Sequence, residues 1–196
     1  MKTILEHNFK TKCHDLIGLF DGVNRMSTLK ANIERQSMLD PERYKPEDYR
    51  GDAFEFFVEL FLMLHPNDNR VWVYDYHPNQ INDNGVDGTG KNIRSDKSAV
   101  QIKYRSEERR LLTANEDSLS NFIADAMFGH DVVKDTEDPT NFRHFVFTTA
   151  DGLNFYTDQE MFKSRVKCFN YDNFRSMLDG NIIFWNRVRE IVSNIQ

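Results

Sequence analysis

The interpretation of the chain starts from one stretch, Ala99-Val100-Gln101-Ile102-Lys103-Tyr104. Its rich content of apolar residues and its alternation of faces predict a β-strand. Side chains two residues apart on a strand point to the same face, so Gln101 and Lys103 are expected to lie side by side. An amide and an ammonium group held together in this way form a candidate site for chemistry.

A turn rich in glycine precedes this strand. The string Gly85-Val86-Asp87-Gly88 lies within residues 80–90, which are dense in Asn, Asp and Gly and therefore resemble a turn. Asp87 stands fourteen residues before Gln101, a separation that is enough for one hairpin return. We therefore expect Asp87 to lead into a strand that runs beside Gln101 and Lys103.

The strongest predicted helix covers residues 51–64. Almost every position in it is apolar except Asp52, Glu55 and Glu59, so the helix is expected to be buried on most of its circumference. Glu55 and Glu59 are four residues apart and share a face. A buried helix tolerates these carboxylates only where they meet solvent, cations or a metal.

The remaining patterns predict an α/β (or α+β) protein with a mixed sheet of about four or five strands flanked by helices. Residues 1–48 are predicted to form an N-terminal helical extension, and residues 49–196 to form the main domain of a single globular unit. A polar connector is expected over 41–49. The other expected elements are helices near 27–39, 116–128, 156–165 and 181–195, and strands near 71–76, 144–149 and 166–169.

Composition narrows the class of protein. The chain has 25 Lys and Arg against 31 Asp and Glu, a formal charge of −6, which argues against non-specific coating of nucleic acid. Cys13 and Cys168 are far apart, so neither a zinc site nor a disulfide framework is expected. The N-terminus lacks the apolar run of a signal peptide, and the longest apolar stretch is shorter than the ~20 residues of a membrane span. We therefore expect a soluble, cytoplasmic protein with no membrane partner.

Three strings taken together resemble the Mrr-like branch of the PD-(D/E)XK, restriction-endonuclease-like nucleases, a branch similar to Holliday-junction resolvases. Residues 50–55, 85–88 and 100–105 match its Gly-x-x-Phe-Glu helix start, its Gly-hydrophobic-Asp-Gly turn and its Gln-x-Lys strand. Residues 145–150 are similar to the next core strand of that family. The resemblance covers roughly residues 50 to 150, with a further similar stretch at 167–174, and implies a restriction-endonuclease-like fold for residues 49–196.

Roles for individual residues follow from the resemblance alone. It implies that Asp87 is the principal metal ligand and that Gln101, in place of the usual acidic residue, offers its side-chain carbonyl. The backbone carbonyl of Ile102 is a further implied ligand, and Glu55 completes the site from the helix. Lys103 would orient the nucleophilic water or stabilise the phosphate. The implied cofactor is Mg²⁺, with Mn²⁺ as a substitute, bound more weakly than by two carboxylates plus Glu55.

Alternatives stay open at several positions. Asp75, Asp83 and Asp96 compete with Asp87, and Glu59 competes with Glu55. After the strand, a basic and aromatic cluster is a candidate for phosphate contacts, and the alternative is a solvated loop with internal ion pairs. The candidate DNA-binding residues of this cluster are Tyr104, Arg105, Arg109 and Arg110.

The resemblance implies a metal-dependent endodeoxyribonuclease of restriction, recombination or repair. Its partners would be duplex or branched DNA, a second copy of the chain in a homodimer, and a helicase or another recombination or restriction protein. One alternative is a nuclease-fold module that binds nucleic acid or protein without cutting, and another is a structural protein in which the motifs match by chance. Under the first hypothesis, Asp87→Ala and Lys103→Ala should abolish cleavage without loss of folding, because both residues are expected to face solvent.

Overall fold

A computed structural model of the chain describes residues 16–66, 68–79, 85–94, 97–107, 110–113, 119–122, 144–154 and 165–194. Its helices are α1 (Leu16–Phe20), α2 (Met26–Ser37), α3 (Pro46–Leu64), α4 (Tyr171–Leu178) and α5 (Ile182–Ser193). Its strands are β1 (Tyr74–Pro78), β2 (Gly88–Lys91), β3 (Lys97–Lys103), β4 (Leu111–Thr113), β5 (His144–Thr148), β6 (Gly152–Asn154) and β7 (Val166–Phe169).

The main sheet is mixed, with the strand order β1-β2-β3-β5-β7. β1, β2 and β3 are antiparallel neighbours, whereas β3, β5 and β7 run parallel to one another. β4 and β6 form a small parallel sheet of their own. The prediction of an α/β protein with a mixed sheet flanked by helices is confirmed at this level.

Helix α3 lies against one face of the sheet and supplies more of the larger hydrophobic core than any other element. Phe54, Phe57 and Phe61 are fully buried and contact Phe174 of α4, and Phe57 stacks on Trp185 of α5. Burial of these aromatic side chains stabilises the fold because each one removes a large apolar area from water.

The part of the predicted N-terminal extension that the structure describes packs into this same core. Buried side chains of α1 and α2, including Phe20 and Leu29, belong to the cluster that contains α3. Helix α3 also begins at Pro46, before the predicted start at Gly51 and before the proposed boundary at residue 49. Proline suits the first turn of a helix, and acidic residues next to it favour the helix dipole, so the predicted polar connector ends earlier than expected.

The opposite face of the sheet carries a second, smaller core. Its members include Ala99 of β3, Val146 of β5, and Leu119 and Phe122. Residues 119–122 are helical and are the only described part of the helix predicted at 116–128. The sheet is therefore covered on both faces, which places the middle of β3 out of contact with solvent.

Other differences from the predicted elements have local causes. β1 begins at Tyr74, later than predicted, because Trp72 has a left-handed backbone conformation with φ 68°. Helix α4 was not predicted, although Asn170 and Asn173 form a reciprocal capping box at its start. The strand predicted at 166–169 is confirmed, and the helix predicted at 156–165 lies outside the described residues except for Arg165. No helix in the described ranges is both long and apolar enough to cross a membrane.

Candidate active site

The strands β2 and β3 separate at Asp87, and the carboxylate of this residue fills the fork between them. The ladder runs up to the pair Gly88 and Val100, where the amide of Asp87 still donates to the carbonyl of Val100 at 2.9 Å. Beyond that point, Oδ2 of Asp87 accepts a hydrogen bond from the backbone amide of Ile102 at 2.6 Å. It accepts a second hydrogen bond from Nε2 of Gln101. The structure therefore brings Asp87 and Gln101 into direct contact.

Both residues of this pair are buried. Asp87 is 5% exposed and Gln101 is 1% exposed. The expectation that Asp87 faces solvent was therefore wrong. The physical reason is that the second core covers this face of the sheet, where Gly85 brings the chain close to both the Gln101 amide and the backbone of Phe122.

The side-chain oxygen of Gln101 is buried and has no hydrogen-bond partner among the described residues. A buried acceptor without a partner costs about 1–3 kcal/mol, so such an atom needs an explanation. A rotation of the amide by 180° would exchange Nε2 and Oε1. The Gln101 oxygen would then lie next to the Asp87 carboxylate, where both groups could coordinate a cation.

Lys103 ends β3 and is half-buried. Val100 and Ile102 join the larger core, so the residues that alternate with them, Gln101 and Lys103, lie on the other face of the sheet. The side chain of Lys103 forms no hydrogen bond or ion pair with the part of the chain that the structure describes. Its ammonium group is therefore available to an anionic ligand that reaches this edge.

Glu55 lies on α3, which packs against the face of the sheet opposite to Gln101 and Lys103. Glu55 is half-exposed, whereas its alternative, Glu59, is only 6% exposed. Both carboxylates act on the hydroxyl group of Tyr76. Burial of the phenol, together with the negative charges of Glu59, Asp87 and Glu55, raises the pKa of Tyr76 well above its usual value. The negative charges of Glu55 and Asp87 are therefore both close enough to the Tyr76 hydroxyl to affect its pKa.

Tyr76 is a residue of this site that the sequence did not predict. Its ring lies directly on Gly88, where an added Cβ would come within 2.4–2.6 Å of two ring carbons and the hydroxyl oxygen. Its hydroxyl donates to the backbone carbonyl of Asp87 at 3.5 Å. A glycine inside a strand is a signal of such a close approach, and the pairing of β1 with β2 identifies the partner.

The alternatives to Asp87 have different surroundings. Asp75 is exposed, forms an ion pair with Lys91 at 2.8 Å, and has its other carboxylate oxygen 3.2 Å from Nε2 of His77. Asp83 and Asp96 lie outside the described residues. Among the candidates that the structure describes, Asp87 alone contacts Gln101.

The residues predicted to contact DNA divide into two groups. Tyr104 is buried against Phe54, and its hydroxyl donates to Glu34 at 2.7 Å, so Tyr104 belongs to the core. Arg105 and Arg110 are half-buried at the edge where β3 and β5 end. The backbone of Arg105 is bonded to the Thr149 hydroxyl, and Arg110 forms an ion pair with Glu107 at 3.3 Å. Arg109 lies outside the described residues.

The donors at the fork have the chemistry of a site for a hard divalent cation. Within the described ranges, no three Asp, Glu, His or Cys side chains converge as a metal site. Mg²⁺ in nucleic-acid enzymes, however, is usually bound by one or two carboxylates together with substrate phosphates. The Asp87 carboxylate and the buried oxygen of Gln101, which has no partner among the described residues, are oxygen donors of this kind, so with the Gln101 amide rotated the residues present fit Mg²⁺ or Mn²⁺.

Comparisons of the chain with protein-family models, with curated proteins and with solved structures found no match.

Proposed function

We propose that this chain is a metal-dependent endodeoxyribonuclease with a restriction-endonuclease-like fold. The observation that carries the proposal is the contact between Asp87 and Gln101 at the fork of β2 and β3. Lys103 follows two residues later on the same face of β3. The order of the elements supports the same proposal, because a helix with Glu55 precedes a three-stranded antiparallel unit to which parallel strands are added.

In this proposal Asp87, Gln101 and the backbone carbonyl of Ile102 hold the cation. A bound divalent cation lowers the pKa of a coordinated water and offsets negative charge on a phosphate. Lys103 supplies a positive charge next to the scissile phosphate and opposes the charge that develops as the new P–O bond forms and the old one breaks. Glu55 lies on α3 against the opposite face of the sheet, so this proposal assigns the cation to the other three groups and gives Glu55 no direct contact with it.

Burial of the fork has a consequence for the substrate. Asp87 and Gln101 are nearly inaccessible to solvent, so a phosphodiester reaches them in one of two ways. Either the segment of Phe122 that packs against Gly85 moves, or the phosphodiester binds at the end of β3 beside Lys103. Lys103 is the more exposed member of the set on this face of the sheet, so it is the residue that meets the substrate first.

One observation favours the alternative function, a nuclease-fold module that binds without cutting. The Gln101 amide donates to Asp87 in the structure, so the pair already has a structural use as a buried hydrogen bond. A module of this kind would bind DNA or a protein partner and would not depend on Lys103 for chemistry.

The two functions are separated by a cleavage assay. Purified protein is incubated with supercoiled plasmid, linear duplex, single strands and a four-way junction in Mg²⁺, Mn²⁺ or EDTA. We expect metal-dependent cutting, and we expect Lys103→Ala to lower its rate by about 100-fold or more. Arg187→Ala, which removes an exposed guanidinium on α5, is the matched control and should cut normally. Binding in a gel shift with no cutting of any substrate would favour the alternative function.

A further inference from the structure

The last residues of β3 carry Gln101 and Lys103 and have lost one of their two neighbouring strands. The ladder between β2 and β3 ends at the pair Gly88 and Val100, so beyond this pair β5 is the one neighbouring strand in the described ranges. The ladder to β5 in turn ends at the pair Lys103 and Thr148. The segment that carries the candidate active site therefore depends on other contacts to keep its position.

Side chains supply hydrogen bonds that a neighbouring strand would otherwise make on both sides of Lys103. On the side of β2, the Asp87 carboxylate accepts the amide of Ile102 at 2.6 Å. On the side of β5, the hydroxyl of Thr149 accepts the amide of Arg105 at 2.6 Å and donates to the carbonyl of the same residue at 2.9 Å. Lys103 therefore lies between two anchors, one residue after the first and two residues before the second.

The hydroxyl of Thr149 connects β5 to β3 where the backbones have begun to separate. The amide of Thr149 donates to the carbonyl of Lys103 at 3.4 Å, which is longer than the ~2.9 Å of an ordinary backbone hydrogen bond. A hydroxyl can donate and accept at the same time, so one side chain satisfies both backbone groups of Arg105. Thr149 is only 4% exposed, so this anchor belongs to the interior of the protein.

A polar cleft of about 470 Å³ adjoins Thr149 at the ends of β5 and β7. Its described lining carries equal numbers of cations and carboxylates, which are Arg25, Lys30 and Arg175 against Asp151, Asp172 and Asp179. The cleft therefore has no excess charge that would attract DNA. It opens on the side of α2 and α4, opposite to the face of the Lys103 side chain, so Thr149 reaches Lys103 through the backbone alone.

We propose that Thr149 is a positioning residue of the candidate active site, whose hydroxyl holds the end of β3 so that the Lys103 ammonium stays beside the scissile phosphate. The inference rests on the proposed nuclease function and extends it to a residue that touches neither the cation nor the substrate. Misplacement of a reacting group by about 1 Å can lower a rate by about 100-fold. Loss of the hydroxyl should therefore affect the rate of cutting more than the binding of DNA.

The first test compares Thr149→Val, which keeps the shape and removes the hydroxyl, with Thr149→Ser, which keeps the hydroxyl. On the substrate that the parent cuts fastest, Thr149→Val should lower kcat by about 10-fold to 100-fold and change KM by less than about twofold. Thr149→Ser should retain most of the parent rate. Ser37→Ala removes another buried hydroxyl, which donates to the carbonyl of Glu34 at 2.8 Å, and as the matched control it should cut normally.

A double-mutant cycle shows whether Thr149 acts through Lys103. If the position of the ammonium is its route to the reaction, Thr149→Val should change the residual rate of Lys103→Ala by less than about twofold. Equal reductions in the two backgrounds would overturn the proposal. Thr149→Ala also removes the hydroxyl, and it replaces Thr149→Val in both tests if the valine variant does not fold.

Amide hydrogen exchange, measured by NMR without DNA or metal, tests the anchor itself. Loss of the hydroxyl should speed exchange of the Arg105 amide by about tenfold or more, because this amide loses its acceptor. The amide of Val100, in the middle of β3, should exchange at the parent rate. Unchanged exchange at Arg105 would overturn the proposal.

The two kinds of measurement separate this proposal from the nuclease proposal. Faster exchange at Arg105 together with a normal kcat in Thr149→Val would overturn the positioning role and leave the nuclease in place. Faster exchange without any cutting by the parent would overturn the nuclease and support only the hold of Thr149 on the segment of Lys103.

Discussion

The side-chain amide of Gln101 donates a hydrogen bond to the carboxylate of Asp87 at the point where β2 and β3 separate. The same carboxylate oxygen accepts the backbone amide of Ile102, so one buried oxygen serves two donors. Asp87 consequently stabilises the fork as well as forming part of the candidate site. Any test of its chemistry has to separate these two roles.

Replacement of Asp87 should distinguish stability from chemistry. Asp87→Ala leaves two buried donors without an acceptor, and we expect it to lower the free energy of unfolding by about 2–5 kcal/mol. Asp87→Asn retains an acceptor of the same shape and should cost about 1 kcal/mol, so it is the better variant for activity assays. Urea denaturation provides the measurement. The control is Asp75→Asn, which removes an exposed ion pair worth less than about 1 kcal/mol and keeps a side chain that tolerates the left-handed backbone at φ 50°. If Asp87→Ala were no less stable than this control, the carboxylate would not hold the fork.

Gln101→Glu should make folding depend on a divalent cation. A second buried carboxylate beside Asp87 adds like-charge repulsion, so the melting temperature in EDTA should fall below that of the parent. Mn²⁺ should raise the melting temperature again, because binding of the cation stabilises the folded state by about 3 kcal/mol when its concentration is 100-fold above its Kd. Gln101→Met is the matched variant, because it keeps the length of the side chain and removes the amide, and it should show the smallest response to Mn²⁺. If Mn²⁺ did not change the melting temperature of Gln101→Glu, that result would count against a cation site at the fork.

Gly88 should be intolerant of any side chain while Tyr76 occupies its present position. We expect Gly88→Ala to lower the free energy of unfolding by about 1–3 kcal/mol, because the added methyl group overlaps the Tyr76 ring. In a Tyr76→Ala background the same substitution should cost less than about 0.5 kcal/mol, since the ring is gone. Urea denaturation of the four proteins of this double-mutant cycle tests the coupling. Equal costs in the two backgrounds would mean that the ring does not limit residue 88.

His144 should make the protein less stable in mild acid. Burial at the start of β5, with a smaller contribution from the charge of Arg165, lowers the pKa of His144 from 6.5 to about 3. Between these two values the unfolded chain binds a proton that the folded chain does not. The free energy of unfolding is therefore unaffected by His144 above pH 6.5. It decreases as the pH falls from 6.5 towards 3, with a slope approaching about 1.4 kcal/mol per pH unit.

The measurement for His144 is the free energy of unfolding of the parent and of His144→Gln at several pH values between 4 and 8. The difference between the two proteins should be constant above pH 7 and should change steadily below pH 6.5. Parallel curves over the whole range would show that the buried imidazole is not the source of the acid sensitivity.

The sequence alone predicted the central pairing of the candidate site because that pairing is local. Asp87 and Gln101 are joined by one hairpin, and the alternation of a strand places Lys103 on the same face as Gln101. Residues close in the chain and joined by a tight turn have few ways to be arranged. The apolar pattern of α3 and the β-rich runs predicted the coarse fold for the same reason.

Tertiary structure decided which of these groups are accessible. The burial of Asp87 and Gln101 depends on Phe122, which Gly85 closely approaches and which comes from a segment that no local pattern relates to β3. Tyr104, which the sequence presents as part of a basic loop, is buried in the core, and its hydroxyl donates a hydrogen bond to Glu34, 70 residues earlier in the chain. The burial of a residue depends on which distant segments pack against it, and the sequence of a single strand does not identify those segments.

The cleft at the ends of β5 and β7 is also a product of tertiary structure. Arg25 directly precedes α2 and Lys30 lies on it, whereas Thr149 and Asp151 follow β5, so more than a hundred residues separate the two walls. The sequence determined that both charges exist and that the strands are suited to a parallel sheet. Only the packing of α2 against α3 and α4 brings those charges to the edge where Lys103 ends β3, because long-range packing is what places one helix beside another.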